Sequence, residues 1–364
     1  MFEAERWAAV PFHFWTVAWF GLGCAVGSFL NVCIHRMPRD ESIVSPPSHC
    51  PACGSRIPWY LNVPVLSWVW LRGRCAVCGT SISARYLGVE LLTGALFMGA
   101  WLTAGERSAL LALAFAVFLA GLVVATFIDF EHFIIPDEIT LGGAGAGFVF
   151  SFLVPALHDA ASPVASLQRC FLGAGLGWGL MYGVLRLGKM LFGRERLRLE
   201  PGTKVHFGEE SLRLPGREVA YDELLYRDQD AIVFQARTLE LVDRGYRDVQ
   251  VRLSRNALEI GDETFDPEAV PFLEAVTDGL TLPREAMGLG DVKFMLAIGA
   301  FLGWAGVLFT LVASATVGSV VGIGAILLGQ REWSSRIPYG PYLAAAAALW
   351  VFAGDFLRRV WLGG

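Results

Sequence analysis

The stretch from Ser108 to Asp129 reads SALLALAFAVFLAGLVVATFID and carries its only charge at the last position. A helix needs about 20 apolar residues to cross the hydrocarbon core of a bilayer, and this stretch supplies them. An ionisable side chain beside lipid is costly to keep, so it is a functional candidate by default. The stretch therefore predicts a membrane helix that ends at a candidate functional residue, Asp129.

The rest of the chain repeats this apolar pattern. Of its 364 residues, 54% are apolar and only 17% are charged, which is typical of a polytopic membrane protein. The net charge of -5 says little about partners and gives no indication of nucleic-acid binding. We predict a polytopic α-helical membrane protein with about eight transmembrane helices, at Phe12 to Ile34, Tyr86 to Ala104, Ser108 to Ile128, Ile139 to Leu157, Cys170 to Phe192, Val292 to Trp304, Gly306 to Gly329 and Tyr339 to Leu357.

Two of these spans have particular features. The first lacks the basic segment and the small-residue cleavage site of a signal peptide, so we expect it to remain as a membrane anchor. The sixth is short for a span, and Gly299 and Gly303 within it indicate close helix packing in place of lipid exposure.

The placement of arginine predicts the orientation of the chain. Positively charged loops stay on the cytoplasmic side, and the loop after the first span is rich in arginine whereas the next loop has Arg107 alone. The first loop, Asp129 and the long segment after Phe192 are therefore expected to be cytoplasmic. Arg358 and Arg359 fall on the opposite side and are an exception to this rule. The arginines of the first loop are Arg36, Arg39, Arg56, Arg72, Arg74 and Arg85.

Four cysteines of the first loop form two paired motifs. Cys50 and Cys53 precede Gly54, and Cys75 and Cys78 precede Gly79. Two residues between thiolates let both sulfurs point at one ion, so the pattern predicts a structural zinc site with four sulfur ligands. A pair of disulfides is the alternative, which a cytoplasmic position disfavours. The other three cysteines, Cys24, Cys33 and Cys170, lie in predicted spans and are expected to be packing residues.

A second soluble segment begins at Arg194 and has the pattern of β-strands. Apolar and polar residues alternate in Val249-Gln250-Val251-Arg252-Leu253, and Pro215-Gly216 and Gly261-Asp262 are turn signals. We predict a small β-rich cytoplasmic insertion, followed by a short helix from Pro267 to Asp278. It contains no catalytic constellation, since His206 alone is more often a surface or packing residue.

A second candidate carboxylate opens the sixth span. The stretch Gly288-Leu289-Gly290-Asp291-Val292-Lys293 places Asp291 at the start of an apolar run. Taken alone, such an aspartate is most simply a helix N-cap. The glycines, however, would let an extended peptide backbone approach the carboxylate closely. Asp291 is therefore a candidate partner for Asp129.

Several ordered motifs together resemble the bacterial type IV prepilin peptidases. The resemblance covers nearly the whole chain except about residues 194 to 285, and the order of the motifs matches throughout. Leu87 stands where that family often has proline, and the insertion is a larger departure. The motifs are Gly27-Ser28-Phe29-Leu30-Asn31-Val32, Arg36-Met37-Pro38, the two cysteine pairs around Asn62-Val63-Pro64-Val65-Leu66-Ser67-Trp68, Arg85-Tyr86 with Val89-Glu90, Asp129 to Asp137, Gly288 to Lys293 and Pro338-Tyr339-Gly340-Pro341-Tyr342.

The resemblance implies a bifunctional enzyme of the bacterial inner membrane. Such enzymes remove the basic leader of type IV prepilins or pseudopilins at the cytoplasmic face and commonly N-methylate the new amino terminus with S-adenosylmethionine. The family's catalytic aspartates correspond to Asp129, six residues before Pro136, and to Asp291. Gly288, Gly290, Lys293 and Pro136 fall in its active-site loops, and Gly73 matches a position linked to methylation, although it is equally consistent with a turn.

The carboxylate pair suits peptide hydrolysis on physical grounds. Two adjacent carboxylates cannot both ionise cheaply, so they should share a proton, with one acting as base on a water and the other as acid. We also hypothesise that Glu131, Asp137 and Glu138 attract the basic leader, although a solvated acidic loop fits equally well.

Other functions stay open at the level of sequence. A peptidase without methyltransferase activity, a transporter that uses the aspartates for ion flux, and an assembly scaffold acting through the insertion are the alternatives. The predicted segments are 1–34, the first helix; 35–85, the zinc-binding and methyltransferase-associated segment; 86–193, helices two to five; 194–285, the insertion; and 286–364, helices six to eight.

Overall fold

The computed structural model describes residues 11–208, 210–225, 230–270, 272–283, 288–328 and 338–362. The chain forms two compact units, one comprising Met1–Tyr182 with Leu289–Gly364 and the other Gly183–Gly288. The first unit is helical and the second is built on a sheet. The principal helices are α1 Phe12–Arg36, α2 Leu66–Trp70, α3 Ala84–Ala104, α4 Ala109–His132, α5 Asp137–Leu153, α6 Pro163–Phe192, α7 Tyr221–Leu224, α8 Leu289–Leu327 and α9 Gly340–Leu362.

Six helices in the described ranges are long and apolar enough to cross a membrane: α1, α3, α4, α6, α8 and α9. The protein is therefore a multi-pass membrane protein. Serine side chains begin two of these helices, because Ser83 accepts a hydrogen bond from the amide of Arg85 and Ser108 accepts one from the amide of Leu111. Such caps satisfy amides that a helix start leaves unpaired.

Three of the eight predicted spans do not correspond one to one with these six helices. The predicted span Ile139 to Leu157 corresponds to α5, which has only 17 residues. The predicted sixth span and the predicted seventh span up to Leu327 fall within α8, whose backbone leaves the helical region at Gly303, with φ 67° and ψ -175°. Gly329, the predicted end of the seventh span, lies outside the described residues. Only glycine adopts this conformation without strain. The number eight stays a prediction.

Glycines allow α6 and α8 to pack closely. A Cβ on Gly299 would lie 2.2 Å from the carbonyl oxygen of Gly173, and a Cβ on Gly173 would lie 2.3 Å from that of Gly299. Backbone approach of this kind is typical of helix pairs in membranes. The expectation of close packing at Gly299 is confirmed.

The second unit is an eight-stranded antiparallel sheet with the order β3-β2-β1-β8-β4-β5-β6-β7. Its predicted turn at Pro215-Gly216 joins β2 to β3, and that at Gly261-Asp262 joins β6 to β7. One face of the sheet buries an apolar core that includes Val205, Phe207, Ile232, Phe234, Leu239 and Val251. The strands are β1 Arg194–Phe207, β2 Ser211–Leu214, β3 Arg217–Ala220, β4 Ala231–Leu241, β5 Gly245–Ser254, β6 Leu258–Ile260, β7 Glu263–Phe265 and β8 Leu273–Pro283.

The predicted helix from Pro267 to Asp278 is wrong. Only Pro267–Ala269 forms a single 3-10 turn, and β8 then lies at the centre of the sheet between β1 and β4. Leu273, Ala275 and Thr277 are buried at alternate positions of this strand. Pairing on both sides therefore outweighs the helix propensity of its alanine, leucine and glutamate residues.

Candidate active site and metal centre

Asp129 lies in the last turn of α4 and is 5% exposed. Its Oδ2 accepts a hydrogen bond of 2.8 Å from the backbone amide of Gly340, the first residue of α9. A Cβ at position 340 would stand 2.8 Å from the same oxygen. The carboxylate is thus held by a helix N-terminus at a position where a larger residue would collide with it.

Ile135 brings the start of α8 to this carboxylate. A Cβ on Gly290 would lie 3.5 Å from the Cβ and amide nitrogen of Ile135, and a Cβ on Gly340 would lie 3.1 Å from its Cδ1. Ile135 therefore packs between Gly290 and Gly340. Asp291 follows Gly290 in the first turn of α8. The backbone of Asp291 therefore lies next to the loop that follows Asp129.

Tyr339 links Asp291 to the same region. The Tyr339 hydroxyl lies 2.8 Å from Oγ of Ser314. The Asp291 carboxylate lies close enough to the Tyr339 phenol to interact with it electrostatically. At the start of α9, Gly340 thus donates a hydrogen bond to Asp129, and Tyr339 directly before it lies within the electrostatic influence of Asp291.

The other residues predicted for the active-site loops lie around this point. Lys293 in α8 forms an ion pair with Asp137 in α5, with Nζ 2.7 Å from Oδ1. Pro136 is the N-cap residue of α5, and Gly288 is exposed directly before α8.

The acidic cluster proposed to attract a basic leader is partly neutralised within the protein. Glu131 pairs with Arg85 and Asp137 pairs with Lys293. Both pairs are partly exposed, so solvent screens them. Glu138 is exposed at the start of α5. Attraction of a leader by this cluster stays a hypothesis. Two of its three carboxylates are in ion pairs, so the cluster has less unpaired negative charge than the sequence indicated.

Gly340 is the residue of this site to which the sequence assigned no role. The motif Pro338-Tyr339-Gly340-Pro341-Tyr342 contributed to the resemblance, but a glycine between prolines reads as a turn. Its task becomes visible only when α9 and α4 are placed together, because the two residues are 211 positions apart.

The four predicted cysteine ligands meet in one cluster. The sulfurs of Cys50, Cys53, Cys75 and Cys78 all lie within 4.8 Å of one another, and those of Cys50 and Cys78 are 3.8 Å apart. A tetrahedral zinc site with sulfur at about 2.3 Å requires sulfurs roughly 3.8 Å apart. All four cysteines are free thiols. Disulfide pairing, the alternative at the level of sequence, is absent from this cluster.

Two equivalent turns build the cluster. The amide of Gly54 donates to the carbonyl of Cys50, and the amide of Gly79 donates to that of Cys75, both glycines having positive φ. Hydrogen bonds to hydroxyl groups favour the thiolate form of two of the sulfurs. The Ser55 hydroxyl lowers the pKa of the Cys53 thiol, and the Thr80 hydroxyl lowers that of the Cys78 thiol. The arrangement is that of a site for a thiophilic metal ion.

Two buried charged residues hold this loop to the membrane helices. Glu90 in α3, 8% exposed, accepts a 2.7 Å hydrogen bond from the amide of Val65. Val65 has φ 64°, a strained conformation for a β-branched residue. At the end of α1, Arg36 donates to the carbonyl oxygens of Ser42 and Pro46 at 2.8 and 2.7 Å. The loop is thus held near its start and at its middle.

Gly73 has a structural reason to be glycine. Its φ is 65°, and a Cβ there would lie 2.8 Å from the indole ring of Trp68. Its carbonyl accepts a hydrogen bond from Ile82. Of the two readings that the sequence left open, the turn is present, and a link to methylation stays a prediction.

The chain is similar to known protein families. Residues 22–104 match the bacterial peptidase A24 N-terminal domain, and residues 116–195 and 270–323 match the type IV leader peptidase family. These matches leave out most of the sheet unit. No solved structure matches the chain.

Curated relatives agree with the family models. The chain is 28% identical to the prepilin leader peptidase/N-methyltransferase of Aeromonas hydrophila, over 93% of this chain and 90% of that protein. It is 42% identical to the protein of the same name from Myxococcus xanthus, over 49% and 50% of the two chains. The Dichelobacter nodosus protein of that name is 37% identical, over 47% of this chain and 65% of that protein. The chain belongs to the type IV leader peptidase family.

Proposed function

We propose that this chain is an aspartic endopeptidase of the bacterial inner membrane. It removes the basic leader peptide of type IV prepilins or pseudopilins at the cytoplasmic face and then N-methylates the new amino terminus. The observation that carries the proposal is the hydrogen bond from Gly340 to Asp129, together with the packing of Ile135 against Gly290 beside Asp291. The family and its relatives supply the class of substrate.

The chemistry assigned to Asp129 and Asp291 is general acid and base catalysis. One carboxylate takes a proton from a water molecule as the water attacks the scissile carbonyl, and the other donates a proton to the substrate. The amide of Gly340 fixes the orientation of Asp129 before substrate arrives, which avoids reorganisation during the reaction. The two carboxylates titrate as a unit, so neither role is assigned to one residue.

The glycines at the start of α8 leave room for a substrate near Asp291. Gly290 packs against Ile135, whereas Gly288 is exposed directly before α8 and has no side chain, so an extended peptide could approach Asp291 along Gly288. Lys293 is held by Asp137 and orients the starts of α5 and α8 relative to each other.

The cysteine cluster is proposed to hold zinc in a structural role. Four thiolates leave no open position for a substrate or water. The ion would fix residues 50–79, which the hydrogen bond from Val65 to Glu90 already ties to α3.

Methylation is assigned to the segment 35–85, with S-adenosylmethionine as the methyl donor. The residue types of this segment suit that molecule. Trp59 and Trp70 are 82% and 84% exposed and can stack on the adenine ring of S-adenosylmethionine. Arg72 and Arg74 can pair with the carboxylate of its methionine part. When bound, the donor supplies the methyl group.

Cleavage is tested by expressing the chain with a model prepilin in membranes and following the leader and the N-terminal mass by mass spectrometry. Asp129→Asn and Asp291→Asn should each abolish cleavage. Asp40→Asn is the matched control, since Asp40 is exposed and has φ 54°, which asparagine also adopts. Normal cleavage by either of the first two variants would refute the aspartic mechanism and favour a transporter or scaffold. Cleavage by the wild type without any added methyl mass would leave a peptidase alone.

A further inference from the structure

A cavity of about 280 Å³ lies at the opposite end of α4 from Asp129. It is formed by the last turn of α3, the first turn of α4, the 3-10 helix Pro155–His158, the Gly303 region of α8 and the last turns of α9. Because α4 spans the membrane, this cavity is on the extracytoplasmic side of the orientation predicted from arginine placement.

Three arginines line this cavity. Two of them, Arg358 and Arg359, are the residues that break the positive-inside pattern. Arg107, Arg358 and Arg359 line it together with Asp159 and Asp355. Arg107 lies 3.3 Å from Asp355, and Arg358 lies 2.6 Å from Asp159. In the described part of the chain Arg359 bonds only the backbone oxygen of Asp355 and has no carboxylate partner. The cavity therefore has a positive excess.

The wall beneath the arginines is apolar and tightly packed. Leu111 and Phe301 are 3% and 1% exposed, and the Arg358 guanidinium lies 5.7 Å from the centre of the Trp350 ring. Nε of Arg358 is buried without a hydrogen-bond partner among the described residues. A guanidinium with an unused donor, above an apolar wall, suits an anionic group attached to an apolar body.

We propose that this cavity binds the phosphate headgroup of an anionic phospholipid from the extracytoplasmic leaflet. Phosphate accepts paired hydrogen bonds from guanidinium groups, and Arg107 and Arg359 are the cations that it would meet. At about 280 Å³ the cavity is close to the lower end of the range of small-molecule sites, about 300–1,000 Å³, so it accommodates a headgroup while the start of the acyl chains meets the apolar wall. A free anion would gain nothing from the apolar wall.

This site would resolve the charge anomaly of α9. Arginine on the extracytoplasmic side is disfavoured by the positive-inside rule, but it is stabilised where it meets a lipid phosphate. The inference concerns lipid binding and stands whether or not the chain cleaves prepilins.

The test is native mass spectrometry of the full-length protein in detergent, with phosphatidylglycerol added. Wild type should retain one phosphatidylglycerol with an affinity roughly tenfold or more above that of Arg107→Gln/Arg359→Gln, since each basic contact near a membrane surface contributes about fivefold. Arg213→Gln/Arg237→Gln removes two exposed arginines of the sheet unit and should leave retention unchanged.

Single variants and other ligands complete the test. Arg359→Gln alone removes only a backbone contact, so it measures the effect even if the double variant fails to fold. Phosphatidylcholine should be retained more weakly, and millimolar inorganic phosphate should not displace phosphatidylglycerol. Equal retention by wild type and Arg359→Gln, equal binding of phosphatidylcholine, or displacement by inorganic phosphate would each overturn the proposal.

Discussion

At the scale of single residues, the choice of residue at position 340 is as restricted as the choice of the aspartate that Gly340 contacts. Its amide donates a hydrogen bond to Asp129, and the space where a Cβ would stand is occupied by Oδ2 of that carboxylate and by Ile135. Both neighbours belong to the candidate site, so neither can give way without moving it.

We expect Gly340→Ala to reduce cleavage by about 100-fold while the protein still inserts and folds. A displacement near 1 Å at a reacting group has about this effect on rate. The measurement is the initial rate of leader removal from a model prepilin. Gly145→Ala in α5, where a Cβ meets nothing within 4 Å, is the control and should cleave at the normal rate. A fully active Gly340→Ala enzyme would contradict the role given to this amide.

At the scale of elements, the cysteine turns are expected to depend on metal. Cys78→Ser removes one of the four sulfurs, so we expect zinc content to fall from one ion per chain to a small fraction. The segment 50–79 should also become more sensitive to protease. Elemental analysis of the purified protein gives the first result and limited proteolysis the second. Cys170→Ser replaces a buried cysteine outside the cluster and should keep its zinc. Equal zinc in both variants would remove the metal-site assignment.

The 3-10 helix Pro155–His158 supplies a pH-sensitive contact. His158 is 8% exposed, and its Nε2 lies 2.9 Å from Oγ of Ser151 and 3.1 Å from the carbonyl oxygen of Ala300. Because that carbonyl can only accept, Nε2 carries the hydrogen. Burial lowers the pKa of His158 to about 4.

We therefore expect acid to destabilise the protein through His158. An unfolded histidine has a pKa of about 6.5, so between about pH 6.5 and 4 the unfolded state binds a proton that the folded state rejects. The stability contributed by the neutral ring is present above this range and lost as the pH falls, by about 3 kcal/mol in total. Thermal unfolding in detergent at several pH values measures it. His158→Gln should flatten the profile, and replacement of the exposed His49 should not.

The same scale shows what the sequence could and could not predict. The long spans were predictable because apolar runs alone determine a membrane helix. The central strand β8 was not, because its residues also suit a helix and only pairing with β1 and β4 decides between them. Likewise, the cysteine cluster follows from local spacing, whereas the contact of Gly340 with Asp129 joins distant helices and has no local signal.

At the scale of the whole molecule, the sheet unit is separable from the proposed chemistry. Both candidate aspartates and all four cysteines belong to the helical unit, and the family match omits residues 196–269. The first and last residues of the sheet, Arg194 and Pro283, are direct partners in the β1–β8 pairing. The two ends of the insertion are therefore adjacent, and a short linker can join them.

We expect replacement of residues 195–282 by a short glycine-serine linker to retain leader cleavage within about tenfold of wild type, because the loss of one compact unit leaves the packing of the other in place. Adding Asp291→Asn to the shortened chain should abolish that cleavage. The measurement is the rate of leader removal in membranes, with zinc content as the check that the helical unit has folded. A shortened chain that holds zinc but fails to cleave would make the insertion part of substrate recognition. If pilus assembly were lost while cleavage continued, the insertion would be a docking module beside the peptidase.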